Sequence, residues 1–275
     1  MEHRQLTAPG GRVHYWVEPA APGADCIVWV HGLTADHTMF EKQVEYFSGK
    51  VTQILPDLPL HGLSRPYRGF TYRDTAEILQ KILQIEQISA AFFVGMSLGG
   101  YPCQHFAVRW PEKVRGFVAL DTTPLGLDYY SKSDLWWLER AAPMAGWFPA
   151  GLLRWSMARS ISRTEYSYQS MMRMLAPLSK ADIVAQMDVA YGQFVRENRD
   201  AEFPFPVLIL AGDHDSSGKV KAYCKAWAEK TGYPLHWIKN ARHYSNGDNP
   251  EQVNREIADF LQECKRKEGE IHAAL

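Results

Sequence analysis

Apolar residues recur along this chain in two alternating rhythms. Short, nearly unbroken apolar runs at residues 13–17, 26–30, 51–55, 90–94, 116–121, 207–211 and 235–238 read as strands, most of them buried on both faces of a parallel sheet. Between them lie longer stretches in which apolar side chains return every three or four positions. Residues 74–88 place Ile78, Leu79, Ile82, Leu83 and Ile85 on one helical face, and the final helix, from Pro250 to about Cys264, does the same with Val253, Ile257, Phe260, Leu261 and Cys264. A further helix is expected to run from the end of the 90–94 strand towards Trp110. Alternation of this kind predicts an α/β fold class, with a mostly parallel central sheet flanked by helices on both faces.

The alternation lapses between Thr122 and Pro204. That interval has no clear strand, and its helix-forming patches are parted by Pro143, Pro149 and Pro177. It gathers Met144, Met157, Met171, Met172, Met174 and Met187, together with Trp136, Trp137, Trp147 and Trp155. A helical cap over residues 122–204, inserted after the strand at 116–121 into a core made of residues 1–121 and 205–275, fits both length and composition. Methionines and aromatics form adaptable apolar surfaces, so the cap is expected to roof an apolar pocket. Any single one of them is as well explained by packing of cap on body.

Composition narrows what such a chain can do. Its 275 residues, 46% of them hydrophobic, suffice for one substantial core. The 30 basic residues nearly cancel the 31 acidic ones, which leaves no net field to favour nucleic acid or an anionic membrane. Cys26, Cys103, Cys224 and Cys264 are scattered without metal-finger spacing and read as free thiols in a reducing compartment. The first residues carry no apolar signal segment and no run reaches membrane-spanning length, so a soluble cytoplasmic protein without stable membrane insertion is expected. No cofactor or metal is expected either. Asp213-His214-Asp215 lacks a matching ligand cluster, H-E-x-x-H does not occur, and His31 with His37 alone would be a poor site.

Candidate chemistry collects at strand ends. Gly95-Met96-Ser97-Leu98-Gly99 follows the apolar run 90–94, where a strand should end and a helix begin. A serine on that sharp turn is presented as a nucleophile, and the crowding two residues to either side of it admits only glycine. The run at 207–211 ends in Gly212-Asp213-His214-Asp215, which puts two acids at a strand exit. His243 follows the short strand at 235–238 and precedes a helix opened by Asn249-Pro250. Serine, acid and histidine therefore come in that order. A serine hydroxyl needs a base to take its proton, and a histidine needs a carboxylate to fix its tautomer, so the three residue types make one chemical unit.

Taken with two further segments, this resembles the α/β-hydrolase superfamily over nearly the whole chain. Val28-Trp29-Val30-His31-Gly32-Leu33-Thr34 is similar to the family's strand and His-Gly-x oxyanion loop, and Asp57-Leu58-Pro59-Leu60-His61-Gly62-Leu63-Ser64 to its D-x-P-x-H-G-x-S loop. The resemblance implies Ser97 as nucleophile, His243 as base and then acid, and Asp215 as orienting carboxylate, with Asp213 and Asp121 as competitors for the last role. It implies backbone N–H donors at Leu33 and Leu98 for the oxyanion. His31 and His61 are expected to hold loops. Pro102, inside the helix after Ser97, predicts a local distortion or short tight turn. The function implied is a cofactor-free serine hydrolase that cleaves a carboxylic ester, thioester or lactone with an apolar acyl part, its partner a small molecule. A carbon–carbon bond hydrolase or lyase using the same residues, and a ligand-binding receptor-like member, are the alternatives.

Overall fold

The strands of the computed structural model, which describes residues 1–273, follow the apolar runs closely. They are β1 (Glu2–Ala8), β2 (Gly11–Glu18), β3 (Cys26–Val30), β4 (Thr52–Pro56), β5 (Ala91–Met96), β6 (Val114–Leu120), β7 (Val207–Gly212) and β8 (Leu235–Ile238). They form one sheet in the order β1-β2-β4-β3-β5-β6-β7-β8. β1 and β2 are antiparallel, β2 meets β4 antiparallel, and every pair from β4 to β8 is parallel. β1 is the strand that hydropathy alone does not reveal. It lies at the sheet edge and buries only Leu6 and Ala8, so most of its side chains face solvent.

Successive residues of the central strands enter opposite faces of the sheet, as the two-residue repeat requires. Val28, Val30, Phe93, Phe117 and Ile209 join one core cluster, with Ile78, Leu79, Ile82, Leu83, Phe106 and Trp227 from the helices α2 (Tyr72–Ile85), α3 (Gly100–Arg109) and α8 (Val220–Thr231). Ile27, Trp29, Phe92, Val94, Val118 and Leu208 join the other. That cluster includes Phe47 of α1 (Glu41–Phe47) and Val253, Ile257, Phe260 and Leu261 of α10 (Pro250–Ala273). α2 stops at Ile85, short of residue 88, because Gln87 turns the chain through a positive φ of 57°.

Between β6 and β7 the chain forms four helices and no strand: α4 (Lys132–Ala145), α5 (Ala150–Ile161), α6 (Glu165–Leu175) and α7 (Lys180–Glu197). α4 and α7 each begin in a reciprocal cap, Ser131 with Asp134 and Ser179 with Asp182. Pro143 is accommodated inside α4, while Pro149 and Pro177 fall in the connections. A four-residue helix, α9 (Ser245–Asp248), then lies between β8 and α10.

Candidate active site

Ser97 sits between the carboxyl end of β5 and α3. The chain turns there through a single 3₁₀ turn, Ser97–Gly99, and the serine takes a φ of +50°, a region that L-residues rarely occupy. Only glycine fits around it. A Cβ on Gly95 would come within 2.6 Å of the Gly100 Cα, and one on Gly99 within 2.1 Å of the Val30 carbonyl oxygen. The Thr122 hydroxyl donates to the Ser97 carbonyl at 2.7 Å and steadies the turn from the end of β6. Pro102 falls in the first turn of α3, where its missing N–H has no helical acceptor to lose, so the tight turn at 97–99 is the only distortion it accompanies.

The two other members of the sequence-derived trio meet the serine here. His243 Nε2 lies 2.8 Å from Ser97 Oγ, and His243 Nδ1 lies 2.8 Å from Asp215 Oδ2. The other Asp215 oxygen accepts the Ser217 N–H at 2.7 Å. Neighbouring groups hold the His243 loop. Asp248 accepts the Arg242 N–H, Tyr244 donates its hydroxyl to the Met39 carbonyl, and the Tyr244 N–H bonds the Ile161 carbonyl. Burial acts to lower the His243 pKa, but the charge and hydrogen bond of Asp215, with the charge of Asp121, outweigh it and leave the imidazole raised. Burial acts to raise Asp215, yet the His243 charge and hydrogen bonds bring it below the usual carboxylate range.

The competing acids go elsewhere. Asp213 accepts from His214 Nδ1 at 2.6 Å and from the Ala241 N–H, at the surface side of the loop. Asp121 is fully buried, with φ +47°, and accepts the N–H groups of Gly212 at 2.8 Å and Ser245 at 3.1 Å together with the Ser245 hydroxyl. Its burial raises its pKa to about 7. Asp121 thus ties the ends of β6 and β7 to the start of α9 and sets a second carboxyl near the imidazole.

The His31-Gly32-Leu33 loop packs against the serine: a Cβ on Gly32 would lie 3.4 Å from Ser97 Cβ. His31 is fully buried. Its Nε2 accepts the Leu58 N–H at 3.0 Å, which leaves the proton on Nδ1 to be donated to the Gly32 carbonyl at 2.8 Å. That carbonyl and the Leu33 N–H belong to one planar peptide unit, so the imidazole sets the direction in which Leu33 points its N–H. Burial keeps His31 neutral by lowering its pKa. His61 is buried as well, donates from Nδ1 to the Pro59 carbonyl, and leaves Nε2 unpaired among the described residues. Desolvation pushes it down to about 3.

Ser97, His243, Leu33 and Leu98 open on a cavity of about 1040 Å³ whose remaining wall comes largely from α4, α5, α6 and α7. Thr122, Ser245, Ser217 and the cavity residues Lys219 and Tyr223 are the participants that sequence reasoning missed. Each acts across elements, and none carries a local motif. Among the described residues the one tight group of three potential metal ligands is Asp36, His37 and Asp57. Asp57 there already accepts from His37 and from the Leu63 N–H, and Asp36 caps Thr38.

The profile of the Alpha/beta hydrolase family matches residues 27–256. The chain belongs to that family. The 2-(acetamidomethylene)succinate hydrolase of Mesorhizobium japonicum is 28% identical over 253 residues, covering 86% of this chain and 87% of that protein. A 2-succinyl-6-hydroxy-2,4-cyclohexadiene-1-carboxylate synthase of Citrobacter koseri is 26% identical over 251 residues, covering 87% and 95%. Among solved structures, a thermophilic esterase from Thermogutta terrifontis superposes with a TM-score of 0.76 at 20% identity, covering 96% of this chain and 99% of that one. At that identity the superposition speaks for the fold alone.

Proposed function

We propose that this α/β-hydrolase is a serine hydrolase of an uncharged carboxylic ester, thioester or lactone with an apolar acyl part. In this reading Ser97 attacks the carbonyl as His243 takes its proton, and Asp215 fixes the imidazole tautomer and stabilises the imidazolium. The N–H groups of Leu33 and Leu98 receive the oxyanion, the second at the start of a helix. His243 then returns the proton to the leaving group, and water activated by the same histidine releases the acyl chain. The observation that carries the reading is the pair of 2.8 Å contacts from His243 to Ser97 and to Asp215. α4–α7 would act as the cap over residues 122–204, with the rest of the chain as core.

The cavity lining supports the choice of an uncharged substrate. No arginine lines it among the described residues, and its one lysine, Lys219, is paired with Asp134 at 2.8 Å. A dianion brought into such a cavity would meet no arginine and only a half-exposed lysine that it must share with Asp134, so little would offset its desolvation. Trp137, Phe148, Leu152 and Trp155 line the cavity and are also exposed, so its apolar wall continues to the surface. Glu139, Glu165, Asp182 and Asp188 of the cap do not line it, and Asp134, which does, is engaged by Lys219 and by the Tyr223 hydroxyl, which speaks against an amine-holding peptidase site.

The curated relatives favour a second reading, because one is named for hydrolysis of a succinate and the other for synthesis of a succinyl carboxylate. A non-hydrolytic or carbon–carbon cleaving reaction on such an anion would use the same serine and histidine, but the paired lysine argues against it. Four buried free cysteines fit a cytoplasmic setting. Among the described residues no helix is long and apolar enough to cross a membrane.

The test is a panel of p-nitrophenyl esters, acetyl to dodecanoyl, run beside p-nitrophenyl hemisuccinate. The proposal expects kcat/KM to rise with acyl length over the first several carbons and the hemisuccinate to be at least tenfold poorer than butyrate. A preference for the hemisuccinate would move the assignment to the anionic substrates of the relatives.

A further inference from the structure

The cavity has two walls of different chemistry, divided at the serine. Met96, just before Ser97, belongs to the core cluster on one face of the sheet, with Met39, Leu153 and Met171. Leu98, just after it, belongs to the cluster on the opposite face, with Tyr72, Tyr130, Ala190 and Phe194. All of these residues line the cavity. One branch of a molecule bound at Ser97 therefore meets thioethers and aliphatic carbons, and the other meets phenol rings.

Most hydroxyls on the tyrosine wall are committed. Tyr72 donates to the Ala190 carbonyl at 2.7 Å, Tyr130 to the Pro124 carbonyl at 2.7 Å, and Tyr101 shares a 2.8 Å contact with Thr123 Oγ1. Tyr191 differs. It lines the same cavity from α7, one residue after Ala190, and its hydroxyl has no hydrogen-bond partner among the described residues. It stands near enough to Tyr101 that charge on either phenol would oppose charge on the other. The hydroxyl is open to the cavity, so a ligand branch that displaces water from it without offering an acceptor leaves it unpaired, a cost that a bound acceptor avoids. With no arginine and only a shared lysine in the cavity, a neutral oxygen suits that donor.

Resting on the serine-hydrolase reading for the position of the reacting bond, we propose that the tyrosine wall is a recognition site for a neutral oxygen acceptor. The substrate class is then an uncharged ester with one aliphatic branch and one branch that carries a keto, ether or hydroxyl oxygen remote from the scissile bond. Tyr191 donates to that oxygen and sets specificity without touching the reacting atoms.

Binding separates this site from the chemistry at Ser97. 4-Phenylbutan-2-one and n-butylbenzene, which differ by one carbonyl, are titrated against wild type and Tyr191→Phe by quenching of tryptophan fluorescence. The ratio of the two dissociation constants is expected to shift against the ketone by about five- to tenfold in Tyr191→Phe, the worth of one neutral hydrogen bond, while the butylbenzene value stays within twofold. An unchanged ratio in a variant of wild-type Tm overturns the proposal, as does equal loss for both ligands. Fluorophosphonate labelling of Ser97 is read in the same samples. Wild type that shows the ratio but no adduct refutes the hydrolase reading and leaves the Tyr191 site standing.

Discussion

His243 is the residue that touches both Ser97 and Asp215, and in the proposed reaction the other groups act through it. Its pKa lies above the ordinary histidine value because Asp215 and Asp121 favour the imidazolium over the opposing effect of burial. The free-enzyme acid limb of kcat/KM is therefore expected above pH 6.5, and Asp215→Asn should move it to lower pH while lowering kcat by roughly 10³–10⁴. An acid limb below 6.5 in wild type would contradict the assignment. His31 offers a finer test. Its Nδ1–H fixes the peptide that carries the Leu33 N–H, so His31→Ala should cut kcat by roughly tenfold to a hundredfold with KM nearly unchanged, short of the full 10²–10³ loss of an oxyanion donor. The place of His243 was legible from its strand exit, whereas the reading of His31 went no further than a residue that holds a loop, because its bond to the Gly32 carbonyl is a property of the folded loop. Thr122, Ser217 and Ser245 were not, because a hydroxyl or N–H that bonds across two strand ends leaves no periodic trace along the chain.

The turn from β5 to α3 is the element on which the site rests. A methyl group at Gly99 would press on the carbonyl oxygens of Val30 and His31, which are backbone atoms with no room to retreat. Gly99→Ala should destabilise the fold by about 1–3 kcal/mol, read by urea unfolding, and slow fluorophosphonate labelling more than tenfold in the fraction that stays folded. Wild-type labelling rate in that variant would show that the turn tolerates a shift and that its geometry is not what activates Ser97. The strands of the parallel sheet were readable because burial on both faces makes their runs apolar throughout. β1 escaped notice because an edge strand with one buried face and few apolar residues looks like a polar terminus. The helices between β6 and β7 were readable as a class from their methionines and tryptophans, but which of those side chains face the cavity depends on how the helices cross, and that is a tertiary property.

Over the whole molecule, buried neutral histidines make the fold sensitive to acid. His61 is held at about 3 and His105 at about 4, both by desolvation first. Between those values and 6.5 the unfolded chain binds more protons than the native one, so stability is lost as pH falls, by up to about 1.4 kcal/mol per pH unit for each histidine. His31 adds to this loss, whereas Asp121, raised to about 7, and the raised His243 act in the opposite sense, so the test is a difference. In denaturant titrations from pH 7 to 4.5 His105→Gln should lose less stability than wild type, and equal losses would mean that the His105 ring is hydrated in solution. The central claim, an activated serine under an apolar roof, is met most directly by intact-mass analysis after fluorophosphonate treatment of wild type and Ser97→Ala. One adduct is expected on wild type and none on the variant. Folded wild type that takes up no adduct, or a variant that still does, would contradict it.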